Sequence, residues 1–237
     1  SLVVFDTQGD NLGISIAGFN ITLGDDGSSR SGKAAKPKGK RVTTHFVGLS
    51  FGANAFTYKP NYGNWAGENQ FMTDNTSSWR FGVEAFGVQG SLDRNQTVFL
   101  KASLNSTVDR YRFNNAMTLV NDENGALMPE PHSGTVKKSK MLAGYLGIGA
   151  GLGFKISKVL LMFDFNTDLL TSSYVKYKNP GKTQYDISGL SNIRYRTGVA
   201  ATVSGFGIYA DYALPPLYRE DVGNHGQVLS IGIRCGF

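Results

Sequence analysis

The stretch Gln227-Val-Leu-Ser-Ile-Gly-Ile-Arg-Cys-Gly-Phe237 alternates. Leu229, Ile231, Ile233, Cys235 and Phe237 are apolar, while Ser230, Gly232, Arg234 and Gly236 between them are small or charged. Successive side chains of a strand point to opposite faces, so the segment has one apolar and one polar face. A soluble sheet shows the same alternation. Its place in the chain says more: a final amphipathic strand closing on an aromatic residue is the expected ending of an outer-membrane β-barrel, with Phe237 as its assembly signal. That expectation requires the preceding strands to alternate too.

They do so from Val42 onward. Residues 45–55 set Val47, Leu49, Phe51, Ala53 and Ala55 against Gly48, Ser50, Gly52 and Asn54. Residues 79–89 set Trp79, Phe81, Val83 and Ala85 against Arg80, Gly82 and Glu84, and residues 96–109 set Val98, Leu100, Ala102, Leu104 and Val108 against Lys101, Ser103, Asn105 and Thr107. In 142–154 the polar face is Tyr145 followed by Gly147, Gly149, Gly151 and Gly153; in 159–169 it is Asp164, Asn166 and Asp168. Residues 193–203 carry Arg194, Arg196 and Thr202, and 206–214 carry Tyr209 and Asp211. With the last strand, that makes eight. No Lys, Arg, Asp or Glu occupies a central position of any apolar face. A lipid-facing belt requires this, because Arg or Lys at the bilayer midplane costs about 2–4 kcal/mol. A soluble barrel would reverse the rule, with charges outward.

The connections alternate as well. Leu92–Asn95, Lys155–Ser157 and Ser204–Gly205 are tight turns, whereas 56–78, 114–137, 178–190 and 215–226 are long and rich in Asn, Gly, Pro and charge. Short turns on the periplasmic side and long loops outside are the outer-membrane arrangement. The expected fold is therefore all-β: an eight-stranded antiparallel up-and-down transmembrane β-barrel over 41–237, both termini periplasmic, in contact with outer-membrane lipids. The barrel-assembly machinery is the expected partner during insertion.

Composition agrees. No apolar run approaches the roughly 20 residues of a membrane-spanning helix, which excludes a helical membrane protein. Thirty glycines in 237 residues and 12% aromatics suit barrel strands and interface girdles. One cysteine permits no intrachain disulfide, and Ser1 without a charged, apolar leader suggests a mature or trimmed chain. Ahead of the barrel, residues 1–40 read as a small periplasmic β-hairpin segment and a basic linker. The β-prone pieces are 1–5 and 12–23, the second switching phase at Gly18. Lys33, Lys36, Lys38, Lys40 and Arg41 lie in a Gly/Ser/Lys/Pro stretch, a solvated linker or a contact for anionic headgroups or a partner.

The order of His45-Phe-Val-Gly-Leu-Ser-Phe-Gly-Ala-Asn54, Ser78-Trp-Arg-Phe-Gly82, Tyr111-Arg-Phe-Asn114, Lys138-Ser-Lys140, Ala210-Asp-Tyr-Ala-Leu-Pro215 and the closing strand resembles the small outer-membrane β-barrel, PorT-like family of Bacteroidota. The resemblance implies a fold and a location. It also implies a structural or accessory role in an assembly, secretion or transport complex of the outer membrane. A surface ligand-binding barrel and a narrow channel are the alternatives.

Eight strands enclose an interior that side chains fill. The lumen-facing set is Arg80, Lys101, Arg194, Arg196 and Arg234 against Glu84, Asp164, Asp168 and Asp211. Unpaired charges there are costly, so a paired network is expected, filling the barrel as a plug; a polar conduit is the other reading. The glycine row 147–153 would leave room on one wall for arginines and tyrosines from another. Catalysis finds no constellation. The three histidines, His45, His132 and His225, lie far apart in sequence, with no Ser or acid at a diagnostic spacing, and Cys/His metal-ligand spacing is absent. No enzyme activity, cofactor or metal is expected. The net charge of +6 could suit nucleic acid, but the basic residues divide among lumen, loops and linker with no aromatic-interleaved face.

Overall fold

A computed structural model describes residues 3–8, 11–16, 19–23, 42–57, 77–93, 95–113, 117–124, 126–131, 138–179, 181–219, 222 and 226–236. The chain divides into two compact units, 1–42 and 43–237. In the first, β1 (Val3–Gln8), β2 (Asn11–Ile16) and β3 (Phe19–Leu23) form an antiparallel meander. The hairpin expected here is thus a three-stranded meander: the β-prone piece 12–23 is two paired strands, with Ile16 opposite Phe19. The linker residues Lys33, Lys36, Lys38, Lys40 and Arg41 lie outside the described residues, as does Phe237.

The second unit contains β4 (Val42–Thr57), β5 (Trp79–Ser91), β6 (Val98–Arg112), β7 (Met117–Asn121), β8 (Leu127–Pro131), β9 (Lys138–Ile156), β10 (Val159–Asn179), β11 (Gly181–Asp186), β12 (Ile193–Val203), β13 (Phe206–Ala213) and β14 (Gln227–Cys235). Eight of them close into an antiparallel barrel in the order β4-β5-β6-β9-β10-β12-β13-β14. The ring is completed by β14 on β4, from Gln227↔Thr57 to Cys235↔Leu49, so the barrel itself has no open edge. Tight turns need left-handed backbone, and Ser204 (φ 52°) with Gly205 (φ 78°) supplies it in a two-residue hairpin.

The outward residues are those the alternation assigns. Phe51, Phe81, Leu100, Ile148, Phe163, Phe165, Val199, Ile208, Ile231 and Ile233 are all exposed. An apolar surface of this extent, encircling a charged interior, marks a transmembrane β-barrel.

Two long connections hold more structure than their composition suggests. β9 and β10 run 19 and 21 residues, well beyond the 9–11 or so that span a bilayer. The connection 114–137 contains the β7–β8 hairpin, and 178–190 contains β11, which pairs with the protruding end of β10. Asn, Gly and Pro at their tips read as loop, but Leu119, Leu127 and Ile187 are buried. Burial of these side chains in a common core holds the hairpins.

Candidate functional site: the charged lumen

The lumen is stacked in layers, each fixed by strand register. Its middle layer is a closed ring of three arginines and three aspartates. Arg80 Nε donates to Asp109 Oδ1 at 2.7 Å and Arg80 Nη2 to Asp109 Oδ2 at 3.1 Å. Arg194 Nη1 donates to the same Asp109 Oδ2, and Arg194 Nε to Asp168 Oδ2 at 3.0 Å. Arg196 bridges Asp168, at 2.5 Å from Nε, to Asp211, at 2.5 Å from Nη1. The ring closes where Arg80 Nη1 meets Asp211 at 3.6 Å. Three positive and three negative charges alternate and sum to zero, which is how buried charges are tolerated.

Toward the short-turn rim lie two further ion pairs. Lys101 Nζ donates to Glu84 at 2.7 Å, and Arg234 Nη1 to Asp164 at 3.0 Å. Every lumen residue singled out from the sequence (Arg80, Glu84, Lys101, Asp164, Asp168, Arg194, Arg196, Asp211 and Arg234) therefore takes part in the ring or in one of these two pairs.

The residue that sequence reasoning missed is Asp109. The sequence inventory of the lumen held five bases and four acids; Asp109 is the fifth acid, fully buried and holding two arginines. It also accepts from Asn54 Nδ2 at 3.2 Å, and Asn54 accepts from Ser230. The signal was available: Asp109 shares the parity of Lys101, Asn105 and Thr107, but it stood at the end of its alternating segment and read as a boundary.

The glycine row of β9 is what admits this packing. A Cβ at Gly147 would lie 2.2 Å from Asp168 Oδ1, one at Gly149 would lie 2.4 Å from Asn166 Oδ1, and one at Gly151 would lie 2.5 Å from Asp164 Oδ1. The acids and amide of β10 thus lie across bare backbone of β9. Gly198 on β12 plays the same part for Asp211, at 2.1 Å.

No family model matches the sequence, and no curated protein matches it. Among solved structures, the chain is similar to Ail, the attachment invasion locus protein of Yersinia pestis. Identity is 13%, coverage 81% of this chain and 97% of that one, and the TM-score 0.35. It is also similar to a triple mutant of the Rhodopseudomonas blastica porin, at 12% identity, 83% and 100% coverage, and a TM-score of 0.20. The barrel assignment here rests on the strand pairing itself.

Toward the long-connection end the lumen turns apolar. Tyr145 lies under the Arg194 guanidinium, 3.7 Å from ring centroid to Cζ. Beyond it Phe56, Tyr111, Met141, Val175 and Val228, inward-facing on five strands, pack with Leu119, Leu127, Ile187, Leu190, Leu217 and Tyr218 from the connections. Tyr185 Oη donates to the Leu119 carbonyl at 2.6 Å, and Asn121 Nδ2 to Ser188 Oγ at 2.6 Å, pinning the β7–β8 hairpin to β11 and the segment after it. Burial in this cluster drives the Tyr218 phenol well above its ordinary pKa.

Between the ring and the two ion pairs remains a cavity of about 60 Å³, lined by residues that include Ser50, Asn105, Asn166 and Tyr209. It has room for a few waters and no more. An ion ring above this space and an apolar cluster above the ring make the interior a packed plug. His45 lies in β4, though its side chain, like His132 and His225, falls outside what is described.

Proposed function

We propose that the chain is a non-enzymatic barrel of the bacterial outer membrane, with its short turns and both termini in the periplasm and its long connections, including the β7–β8 hairpin, outside. It works as a structural or accessory subunit of a larger outer-membrane complex. One observation carries this: the lumen is closed across its middle by a neutral Arg/Asp ring with ion pairs beside it, and at its long-connection end by an apolar cluster, so the working surfaces are the outer wall and the two ends. The ordered motifs that resemble PorT-like proteins of Bacteroidota support a place in assembly, secretion or transport machinery. Purification from its native membrane in mild detergent tests the reading. A stoichiometric protein partner that survives gel filtration is the expected result, and a homogeneous monomer overturns it.

A second reading has its own support. The β7–β8 and β10–β11 hairpins share a buried core and side-chain ties, which makes the outer end a preformed platform for a surface ligand. A monomer that binds host or environmental surfaces through Asn121–Ala126 would favour it.

A further inference from the structure

The outward face of the wall β6–β9–β10–β11 carries a charge pattern that the lumen does not explain. Register sets Arg112 opposite Lys140, Lys140 opposite Lys176, and Lys178 opposite Lys182. Arg110, opposite Leu142, lies two residues nearer the apolar belt. The bulge between Leu170 and Ser172 keeps Tyr174, Lys176 and Lys178 on the face they share with Lys140 and Leu142. Like charges directly opposite one another on a sheet face are destabilising. Among the described residues at this end of the four strands, the acid on that face is Asp186, opposite Tyr174.

Two further features suit an anion on this face. Arg110 stands 5.8 Å from the centre of the Trp79 ring with its Nε buried and without a hydrogen-bond partner. Partial desolvation and the adjacent Lys182 ammonium together hold the Lys176 pKa below its ordinary value.

Lower on the same wall, an apolar groove of about 290 Å³ runs between Leu104, Leu146, Ile148, Leu169 and Ile193. From Leu146 to Leu142, level with Arg110, is roughly 13 Å of strand at about 3.3 Å per residue. A cationic row above an apolar groove fits one class of occupant, an amphiphile with an anionic head. Guanidinium pairs phosphate bidentately, so phosphate is the head these arginines suit best.

We propose that this wall binds a phosphorylated lipid of the outer leaflet, its acyl chain in the groove and its phosphate groups along the row formed by Arg110, Arg112, Lys176 and Lys182. The proposal rests on the outer-membrane reading for its source of lipid. An acidic protein segment would use the row and leave the groove empty.

Native mass spectrometry of the full chain in zwitterionic detergent tests this, with bisphosphorylated lipid A, its dephosphorylated form and inorganic pyrophosphate as probes. Lipid A is expected to bind, the dephosphorylated form at least about tenfold more weakly, and pyrophosphate not at all at concentrations where lipid A saturates. The double substitution K176Q/K182Q should weaken lipid A about thirtyfold, since each basic group near an anionic headgroup contributes a factor of about five. Leu146→Ser should weaken it without changing heat-modifiable migration, and K155Q/K158Q at the opposite rim should leave it unchanged. Equal binding of dephosphorylated lipid A, full retention by K176Q/K182Q, or saturation by pyrophosphate alone overturns the proposal, the last by showing a free-phosphate site. Detergent presents both ends of the barrel, so failure here leaves the reading of a plugged accessory subunit standing.

Discussion

Asp109 concentrates the energetics of the lumen in one side chain. It receives hydrogen bonds from Arg80, Arg194 and Asn54 in a site with no solvent exposure. Asp109→Asn keeps the shape but leaves two guanidiniums sharing a neutral partner, and breaking a buried pair costs about 3–5 kcal/mol. The urea midpoint of the folded barrel should fall by far more than for Asp164→Asn, whose carboxylate is 16% exposed and pairs with Arg234. Asp93 offers the contrast of an exposed acid in a short turn. Its Oδ1 accepts from the Thr97 and Val98 amides at 2.8 Å each, and Oδ2 from Thr97 Oγ1 at 2.7 Å. The Val98 amide above all, then the Thr97 hydroxyl, lower its pKa to about 2. A depressed carboxylate stabilises the fold fully above its unfolded value near 4 and loses that contribution as pH falls through about 2. Amide resonances of Thr97 and Val98 should therefore titrate near pH 2; a midpoint near 4 would mean that the turn is open.

At the scale of elements, β9 and β10 behave as one unit: a strand without side chains on its inner face and a strand whose polar side chains fill the space. Gly147→Ala places a methyl 2.2 Å from Asp168 and 2.8 Å from the Thr167 carbonyl, so Asp168 must leave the ring. Overpacking of this kind costs about 1–3 kcal/mol, to which the lost ion pairs add. Gly90→Ala, with nothing within 4 Å of its new methyl, should be neutral in the same unfolding measurement. The outer face of β10 obeys the opposite chemistry. Phe163 is 53% exposed on the wall, so Phe163→Arg should cost about 2–4 kcal/mol if it sits near the midplane. Folding yield into vesicles reads this loss, and tolerance at Phe163, Phe165 and Leu161 alike would reassign the strand's outward face.

For the whole molecule, the plug predicts that the pure protein in planar bilayers shows no stable conductance. Large, long-lived steps would mean that ring and apolar cluster part readily. Orientation is checked by single cysteines in a Cys235→Ser background. A cysteine at Glu123, in the β7–β8 hairpin, should react with an impermeant reagent on intact cells. One at Asp93 or Ser204, in the short turns, should react only after permeabilisation. The reverse pattern would invert the barrel and remove the lipid wall from the outer leaflet.

What was legible in the sequence was whatever depends on parity. A strand has a period of two, and the apolar and polar sets of β4, β5, β6, β9, β10, β12, β13 and β14 separate by that rule alone, so the number of barrel strands, their outward face and every charged lumen residue except Asp109 could be read directly. Parity gives no information on how far a strand continues once both faces leave the bilayer. The long ends of β9 and β10, the β7–β8 hairpin and β11 are held by burial of Leu119, Leu127 and Ile187 among inward-facing residues distant in sequence. Partnership inside the lumen was equally hidden. Which acid meets which arginine depends on stagger between neighbouring strands, and only that stagger brings Asp109 of β6 against Arg80 of β5 and across the interior to Arg194 of β12. The sequence by itself determined that there is a barrel with a charged interior; tertiary structure alone decided that the charges close into a neutral ring, because that is a matter of register between strands and not of pattern within one.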